Sequence, residues 1–306
     1  MTREINVTSS TKRLCGAVAV ATVGSLMLSA CGTGSSKPSL HDQLPSAIRK
    51  AGVIRVGAAF TAAPVVFKNA QGEPDGLDPD IADALGKVLG VKFEFEDAGT
   101  FVNVLPGVMA GKYDIGLSGI TDTQARQQGL DTNGKQVNNG VDFVDYFIAG
   151  ISIMVHKGNP SRISKLDDLC DKTVVVKKGT IHDDLANTQK GTCANEGKSL
   201  TVLEVDTDAQ AMDAVRAGTA AATLSDYAKA LYNAQTADGG QSFELTGEQT
   251  QLRPYGIALR KDEGVLRDIL VKAMNSIVVD RTYDSLLAKR QLSAGAVQNS
   301  VVNGGS

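Results

Sequence analysis

Three features of the sequence predict an α/β fold with largely parallel sheets. Stretches of strand character alternate with stretches of helical period along most of the chain. Thr173–Val176 is β-branched throughout, as expected at the centre of a parallel sheet. The 306 residues are 42% hydrophobic and 21% charged, a soluble globular composition long enough for about two domains. That composition excludes a collagen, a disordered tail protein and a multi-pass membrane protein. A formal charge of -3 argues against a nucleic-acid partner. Sugar sites often use Trp or Tyr as stacking platforms, so the absence of Trp weighs against a sugar ligand.

The elements follow in order. Lys12-Arg13 precedes a nearly uncharged run, Leu14 to Ala30, which has the layout of a secretory signal peptide over residues 1–30. Its length of about 17 residues is at the short limit for a spanning helix, and an uncleaved anchor is the alternative. Leu28-Ser29-Ala30-Cys31-Gly32 resembles the bacterial lipobox, in which the cysteine becomes the lipidated N-terminus. An acyl chain contributes about 0.8 kcal/mol per buried CH₂ and stable anchoring needs more than one chain. A multiply acylated Cys31 meets that need. Residues 31–40 then read as the lipidated Cys and a Gly/Ser-rich tether.

A short helix runs to Ala51, and Val53 to Ala58 is a strand. Asp78-Pro79 opens a helix as N-cap and first-turn proline. Ile81, Ala84, Leu85, Val88 and Leu89 form its apolar stripe, and Gly90 ends it. Val91, Phe93 and Phe95 alternate with charged residues as a half-buried strand. Helix is expected over 100–110 and strand over 113–118. Thr121-Asp122-Thr123-Gln124 has capping-box spacing for the next helix. Strands at 150–156, 173–176, 200–205, 220–224 and 255–259 then alternate with helices at 164–169, from Gly179-Thr180, 207–217 and 226–235. Val265, Leu266, Ile269, Leu270, Ala273 and Ile277 mark a long amphipathic helix. A last helix covers 283–290, and residues 293–306 read as a polar tail.

Of the four cysteines, Cys15 leaves with the signal and Cys31 is acylated. Cys170 and Cys193 remain, an even pair in an oxidising compartment, and a disulfide is expected. The alternatives are two free thiols or half a metal site. No Cys or His lies at ligand spacing, so no metal and no cofactor are expected.

Three strand-to-helix junctions are polar. They are Ser118-Gly119-Ile120-Thr121 with Arg126 one turn on, Lys177-Lys178-Gly179-Thr180, and Ser225-Asp226. Ligands of α/β sheets bind at the carboxyl ends of strands, where helix N-termini also point. Arginine presents a fork that fits a carboxylate, and a lone aspartate opposite would favour an ammonium. The set reads as a receptor for a zwitterion.

The order of these residues resembles the family-3 solute-binding proteins, the amino-acid receptors of ABC importers. The resemblance runs from Val53 to Arg290, through V-I-R-V-G (53–57), G-E-P-D-G-L-D-P-D-I-A-D-A-L (72–85), S-G-I-T-D-T-Q-A-R (118–126), V-D-F-V-D-Y-F (141–147), L-D-D-L-C-D-K-T-V-V-V-K-K-G-T (166–180) and Y-G-I-A-L-R-K (255–261). It implies a two-lobed periplasmic-binding-protein-like fold of type II. Lobe 1 would be 41–149 plus 256–292 and lobe 2 would be 150–255, with a ligand cleft between them and two crossovers joining them. It further implies that Arg126 grips an α-carboxylate and Asp226 takes the α-amine. Ser118, Gly119, Thr121 and Thr180 add hydrogen bonds, and Phe101 lines the pocket. Lys177 matches a lysine that faces the ligand side chain in glutamine-binding relatives; a solvated lysine is the alternative. A cation there favours glutamine or glutamate over arginine or lysine. Relatives cover the ligand with an Asp and an aromatic in the first loop. Here Ala59 and Ala62 stand in those places, so either Phe60 acts as the lid or the pocket is wider. Residues 130–140 are also longer than usual.

The implied partners are an amino acid, an ABC permease with its ATPase, and the membrane through lipid on Cys31. The expected state is an extracytoplasmic monomer. An enzyme on the same fold, such as a dehydratase or cell-wall lyase, and a signalling receptor are the alternatives, because fold alone does not fix function.

Overall fold

The computed structural model describes residues 39–131 and 133–306. The expected signal peptide, Cys31 and the tether up to residue 38 lie outside the described residues. Helices α1 (Leu40–Gln43) and α2 (Ser46–Ala51) lead into β1 (Val53–Ala58). A small antiparallel flap follows, made of β2 (Thr61–Ala62), β3 (Val66–Lys68) and β4 (Pro74–Asp75). Next come α3 (Leu77–Leu89), β5 (Lys92–Asp97), a 3₁₀ turn at Phe101–Asn103, α4 (Val104–Met109), β6 (Ile115–Gly116) and α5 (Gln124–Gln128). The long β7 (Asp142–His156) precedes β8 (Thr173–Lys177), α6 (Ile181–Asn195), β9 (Thr201–Val205), α7 (Asp208–Arg216), β10 (Ala222–Asp226) and α8 (Tyr227–Thr236). A second long strand, β11 (Phe243–Leu259), returns the chain to α9 (Gly264–Val279) and α10 (Thr282–Lys289).

Eight strands form one sheet in the order β5-β1-β6-β11-β7-β10-β8-β9. β5, β1 and β6 are mutually parallel on one side, and β10, β8 and β9 on the other. Between them β7 and β11 run antiparallel to each other and to their outer neighbours. The expected largely parallel sheet is therefore a mixed one. The reason is topological: the chain crosses once from one lobe to the other and once back, so the two crossing strands must oppose. Their pairing shifts register between Thr246 and Thr250, between Thr250 and Arg253, and between Tyr255 and Gly256. Such bulges bend a ladder locally.

Each lobe buries its own apolar core. The first is built from Ile54, Val56, Leu77, Leu85, Ile257 and Leu270, with α3, α9 and α10 covering the sheet. The second holds Ile153, Val155, Val174, Val176, Leu185 and Leu224. In α3 the stripe Leu77, Ile81, Leu85 and Leu89 is fully buried, and Gly90 closes the helix at φ 66°. The N-cap is Gly76, not Asp78. Asp78 is buried instead, and it accepts the Tyr146 O–H and the Gly119 N–H. The disulfide Cys170–Cys193 is present and ties the segment before β8 to the last turn of α6.

Residues 293–306 are polar in sequence but docked in structure. Val302 forms a bridge to Val144, and Ser300 donates its Oγ–H to the Asp145 carbonyl. Asn303 Oδ1 accepts from Phe143 N–H, and the N–H groups of Gly304 and Gly305 donate to Asp145 and Asp122. Hydrogen bonds through backbone, hydroxyl, amide and carboxylate groups hold this strap, with Val297 packed on the first core, and such bonds leave no hydrophobic period in the sequence.

Candidate functional site

The three polar junctions meet at the carboxyl ends of β6, β8 and β10. Ser118 and Gly119 form the turn after β6. Ser118 Oγ accepts the Ala59 N–H at 3.0 Å, which pins the first loop against the second. Gly119 sits at φ 56°, a conformation glycine adopts without strain, and its N–H goes to Asp78. Both residues thus build the wall of the site. The helix expected near Thr121 begins two residues later: Thr123 is the N-cap of α5 and accepts the Arg126 N–H. Thr121 contributes its carbonyl, which accepts Nη1–H of Arg126 at 2.7 Å.

Arg126 reaches from the first lobe into the second, where its Nη2–H donates to the Gly179 carbonyl at 3.1 Å. Burial works against its charge, opposed by the fields of Asp184, Asp226 and Asp122. Among the described residues no carboxylate lies within ion-pair distance of it. The Phe101 ring faces two cations, with Arg126 Cζ 5.6 Å and Lys177 Nζ 5.4 Å from its centre. Phe101, Val102, Arg126 and Gly179 also border a cavity of about 270 Å³. A second cavity of about 440 Å³, between α8 and the residues around Phe147–Gly150, contains none of the residues singled out from the sequence.

Lys177 is not a solvated lysine. It is 4% exposed, and its ammonium sits 2.8 Å from Asp208 Oδ2 at the start of α7. Burial lowers its pKa, and Asp208 opposes that shift. Thr180 caps α6: its Oγ–H donates to the Lys177 carbonyl, and its oxygen accepts the Asp183 N–H. Asp226, 2% exposed, caps α8 by position but makes no side-chain cap bond. Its Oδ2 pairs with Lys229 Nζ at 2.5 Å, and its Oδ1 lies 3.2 Å from His182 Nε2 without hydrogen-bond alignment. Burial opposes its ionisation, yet Lys229 and His182 hold it well below the ordinary carboxylate range. The Tyr255 hydroxyl faces Asp226 and also lacks hydrogen-bond alignment.

Phe60 is not among the groups brought together. Its ring packs on Phe95 at 6.1 Å under Lys68 Nζ. The sequence reading missed Asp208, Lys229, Tyr255 and the full part of His182. Two of these had a legible signal. Thr207-Asp208 is a fourth strand-to-helix junction, and Lys229 stands three residues after Asp226, one turn along the same helix face.

The chain matches the family described as bacterial extracellular solute-binding proteins, family 3, over residues 54–290. It is 26% identical to the arginine-binding protein ArgT of Corynebacterium glutamicum over 87% of this chain and 83% of that protein. It is 30% identical to the ABC transporter glutamine-binding protein GlnH of Bacillus subtilis over 86% of this chain and 92% of that one. Among solved structures, an ancestral arginine-binding protein bound to arginine superposes with TM-score 0.68 at 34% identity, over 78% of this chain and 97% of that chain. The sheet with two crossing strands, the two cores and the polar junctions therefore have one family setting: the chain belongs to the family-3 extracellular solute-binding proteins, with their type II two-lobed fold.

Proposed function

We propose that the protein captures a polar L-amino acid, glutamine or glutamate in preference to arginine or lysine, and delivers it to an ABC permease driven by its ATPase. The observation that carries this reading is the pair of cations on Phe101. Arg126 comes from one lobe and Lys177 from the other, and the carboxylate of Asp226 is buried behind them. In this reading Arg126 holds the ligand α-carboxylate and Asp226 the α-amine. Thr121, Thr180, Ser118 and Gly119 shape the wall, Phe101 stacks on the ligand, and Phe60 steadies the flap beside it. Lys177 would repel a cationic side chain and accept an amide or a carboxylate.

The lobes, 41–149 plus 256–292 and 150–255, close by a hinge in β7 and β11, a motion common to binding proteins of this architecture. Acylated Cys31 would hold a monomeric receptor at the outer face of the cell membrane, near its permease. Relatives that bind arginine, glutamine, lysine and cystine support the amino-acid class and leave the side chain open. The test is calorimetry with the twenty amino acids on the unaltered chain and on Arg126→Ala. The variant should lose at least about a hundredfold in affinity for whichever amino acid binds best, with a cooperative melt retained. Retained affinity sinks the assignment.

A further inference from the structure

The charges in the closed cleft do not balance. Three cations, Arg126, Lys177 and Lys229, converge there, and two carboxylates touch them: Asp208 on Lys177 and Asp226 on Lys229. Arg126 has only carbonyl partners. The first loop supplies no carboxylate, since Ala59 and Ala62 occupy it and are buried. Asp184 and Asp122 act on Arg126 from beyond its contacts with one sign and Arg253 with the other, and burial pushes the Asp122 carboxyl up. Asp78 lies behind the wall, satisfied by the Tyr146 O–H and the Gly119 N–H. Burial pushes its pKa up to about 7, so it is a weak counter-charge.

Lys229 makes this more than a surplus. Its ammonium, 5% exposed, already holds one oxygen of the residue that would receive a ligand amine. The other oxygen, Asp226 Oδ1, lies 3.2 Å from His182 Nε2 and faces the Tyr255 hydroxyl, none of the three aligned for a hydrogen bond, and Thr61 Oγ1 and Ser225 Oγ are buried without a partner. Native interiors pair most of their buried polar atoms, and a polar ligand is one way to complete these. An amine at Asp226 Oδ1 would share one carboxylate with Lys229. A neutral zwitterion then leaves one buried cation uncompensated, and a cationic amino acid leaves two. A ligand with a second carboxylate leaves none, and an unpaired buried charge is strongly unfavourable.

We infer that Lys229 sets the charge of the site and that the ligand carries a net charge of −1, an acidic amino acid rather than an amide or a base. The inference rests on the amino-acid reading above and narrows it.

The experiment is calorimetry and thermal shift on the unaltered chain with L-glutamate, L-aspartate, L-glutamine, L-arginine and L-lactate, repeated on Lys229→Met and Lys229→Arg. An acidic amino acid should bind at least about tenfold more tightly than L-glutamine, and L-arginine more weakly still. Lys229→Met should collapse the acid-over-amide ratio to within about threefold while L-glutamine binding persists, and Lys229→Arg should keep the ratio. Tighter binding of L-glutamine or L-arginine to the unaltered chain overturns this inference alone. So does an equal loss for all ligands in Lys229→Met, an unchanged ratio there, or L-lactate binding better than the acidic amino acids. If Lys229→Met does not fold, the ranking on the unaltered chain still decides. A chain that binds no amino acid refutes the broader reading and this one with it.

Discussion

Gly179 offers a way to separate the closed cleft from the fold that carries it. It sits at φ 69°, its N–H donates to Asp183 Oδ2, and its carbonyl accepts Arg126 from the other lobe. A Cβ at this position would stand 2.5 Å from Val102 Cγ1, also across the cleft. Gly179→Ala therefore has two distinct effects. The left-handed backbone conformation costs an alanine about 1–2 kcal/mol, and it does so in the open and the closed forms alike. The clash with Val102 exists only when the lobes are together. Val102 is on a 3₁₀ turn and 40% exposed, so it can give way, and overpacking of this kind costs about 1–3 kcal/mol. The first effect lowers the melting midpoint. The second lowers ligand affinity by roughly fivefold to 150-fold. The assay is a cycle of Gly179→Ala, Val102→Ala and the double variant, with calorimetry against L-glutamate and L-glutamine and a melt of each protein. Val102→Ala should restore most of the affinity lost in Gly179→Ala and none of the stability. An affinity loss that the double variant leaves untouched, or no loss at all, refutes the closed contact as drawn.

Three further outcomes follow from other parts of the molecule. Replacing Cys170 and Cys193 by serine opens a loop with a sequence separation of 23, worth about 3 kcal/mol in the chain-entropy model; urea midpoints of the oxidised protein and the variant measure it, and equal midpoints contradict it. Burial pushes Asp78 to about 7, and burial with the neighbouring Asp122 does the same to Asp145. Because these folded-state values lie above the ordinary 3.8, the stabilisation they confer is complete below about pH 4 and is lost as pH rises toward 7. Melts across that window should fall with rising pH from this source, and Asp78→Asn should flatten the slope; an unaltered slope argues against a protonated Asp78. Ending the chain after residue 298 removes the Ser300, Asn303, Gly304 and Gly305 bonds to β7 and Asp122, together with the Gly305 carbonyl that accepts from Gln127 in α5. The truncated protein should be less stable by about 2–4 kcal/mol and bind more weakly, since α5 carries Arg126; unchanged melts and affinity count against the strap.

How much of this was legible depended on which residues carried the signal. Helix α3 was readable because its buried residues recur at helical spacing and Gly90 ends it. The disulfide was readable because the other two cysteines were accounted for. The crossing strand β11 was only half readable. Its Tyr255–Leu259 end is buried, but the stretch through Glu248, Gln249 and Gln251 is exposed and shows no strand period. Position along the sequence likewise placed Arg126, Lys177, Thr180 and Asp226 near strand ends. It could not reveal that Lys177 would find Asp208 or that Asp226 would find Lys229, because those pairings depend on how the helix starts face one another.

The first loop shows how these observations bear on one another. Either Phe60 had to serve as a lid, or Ala59 and Ala62 had to leave the pocket wide. The structure shows what these residues touch. Ala59 and Ala62 are buried, Ala59 N–H is bound to Ser118, and β2 packs against α7 across the cleft. Small side chains at these positions accompany a flap that lies against the second lobe. These positions carry no carboxylate either, so the loop offers no counter-charge to a basic ligand side chain. Shape and charge are thus both set at these two positions. Adding a carboxylate by Ala62→Asp should therefore shift the ligand ranking toward L-glutamine and L-arginine. An acidic preference undiminished by that added charge would mean that the flap, and not the charge balance, selects the ligand.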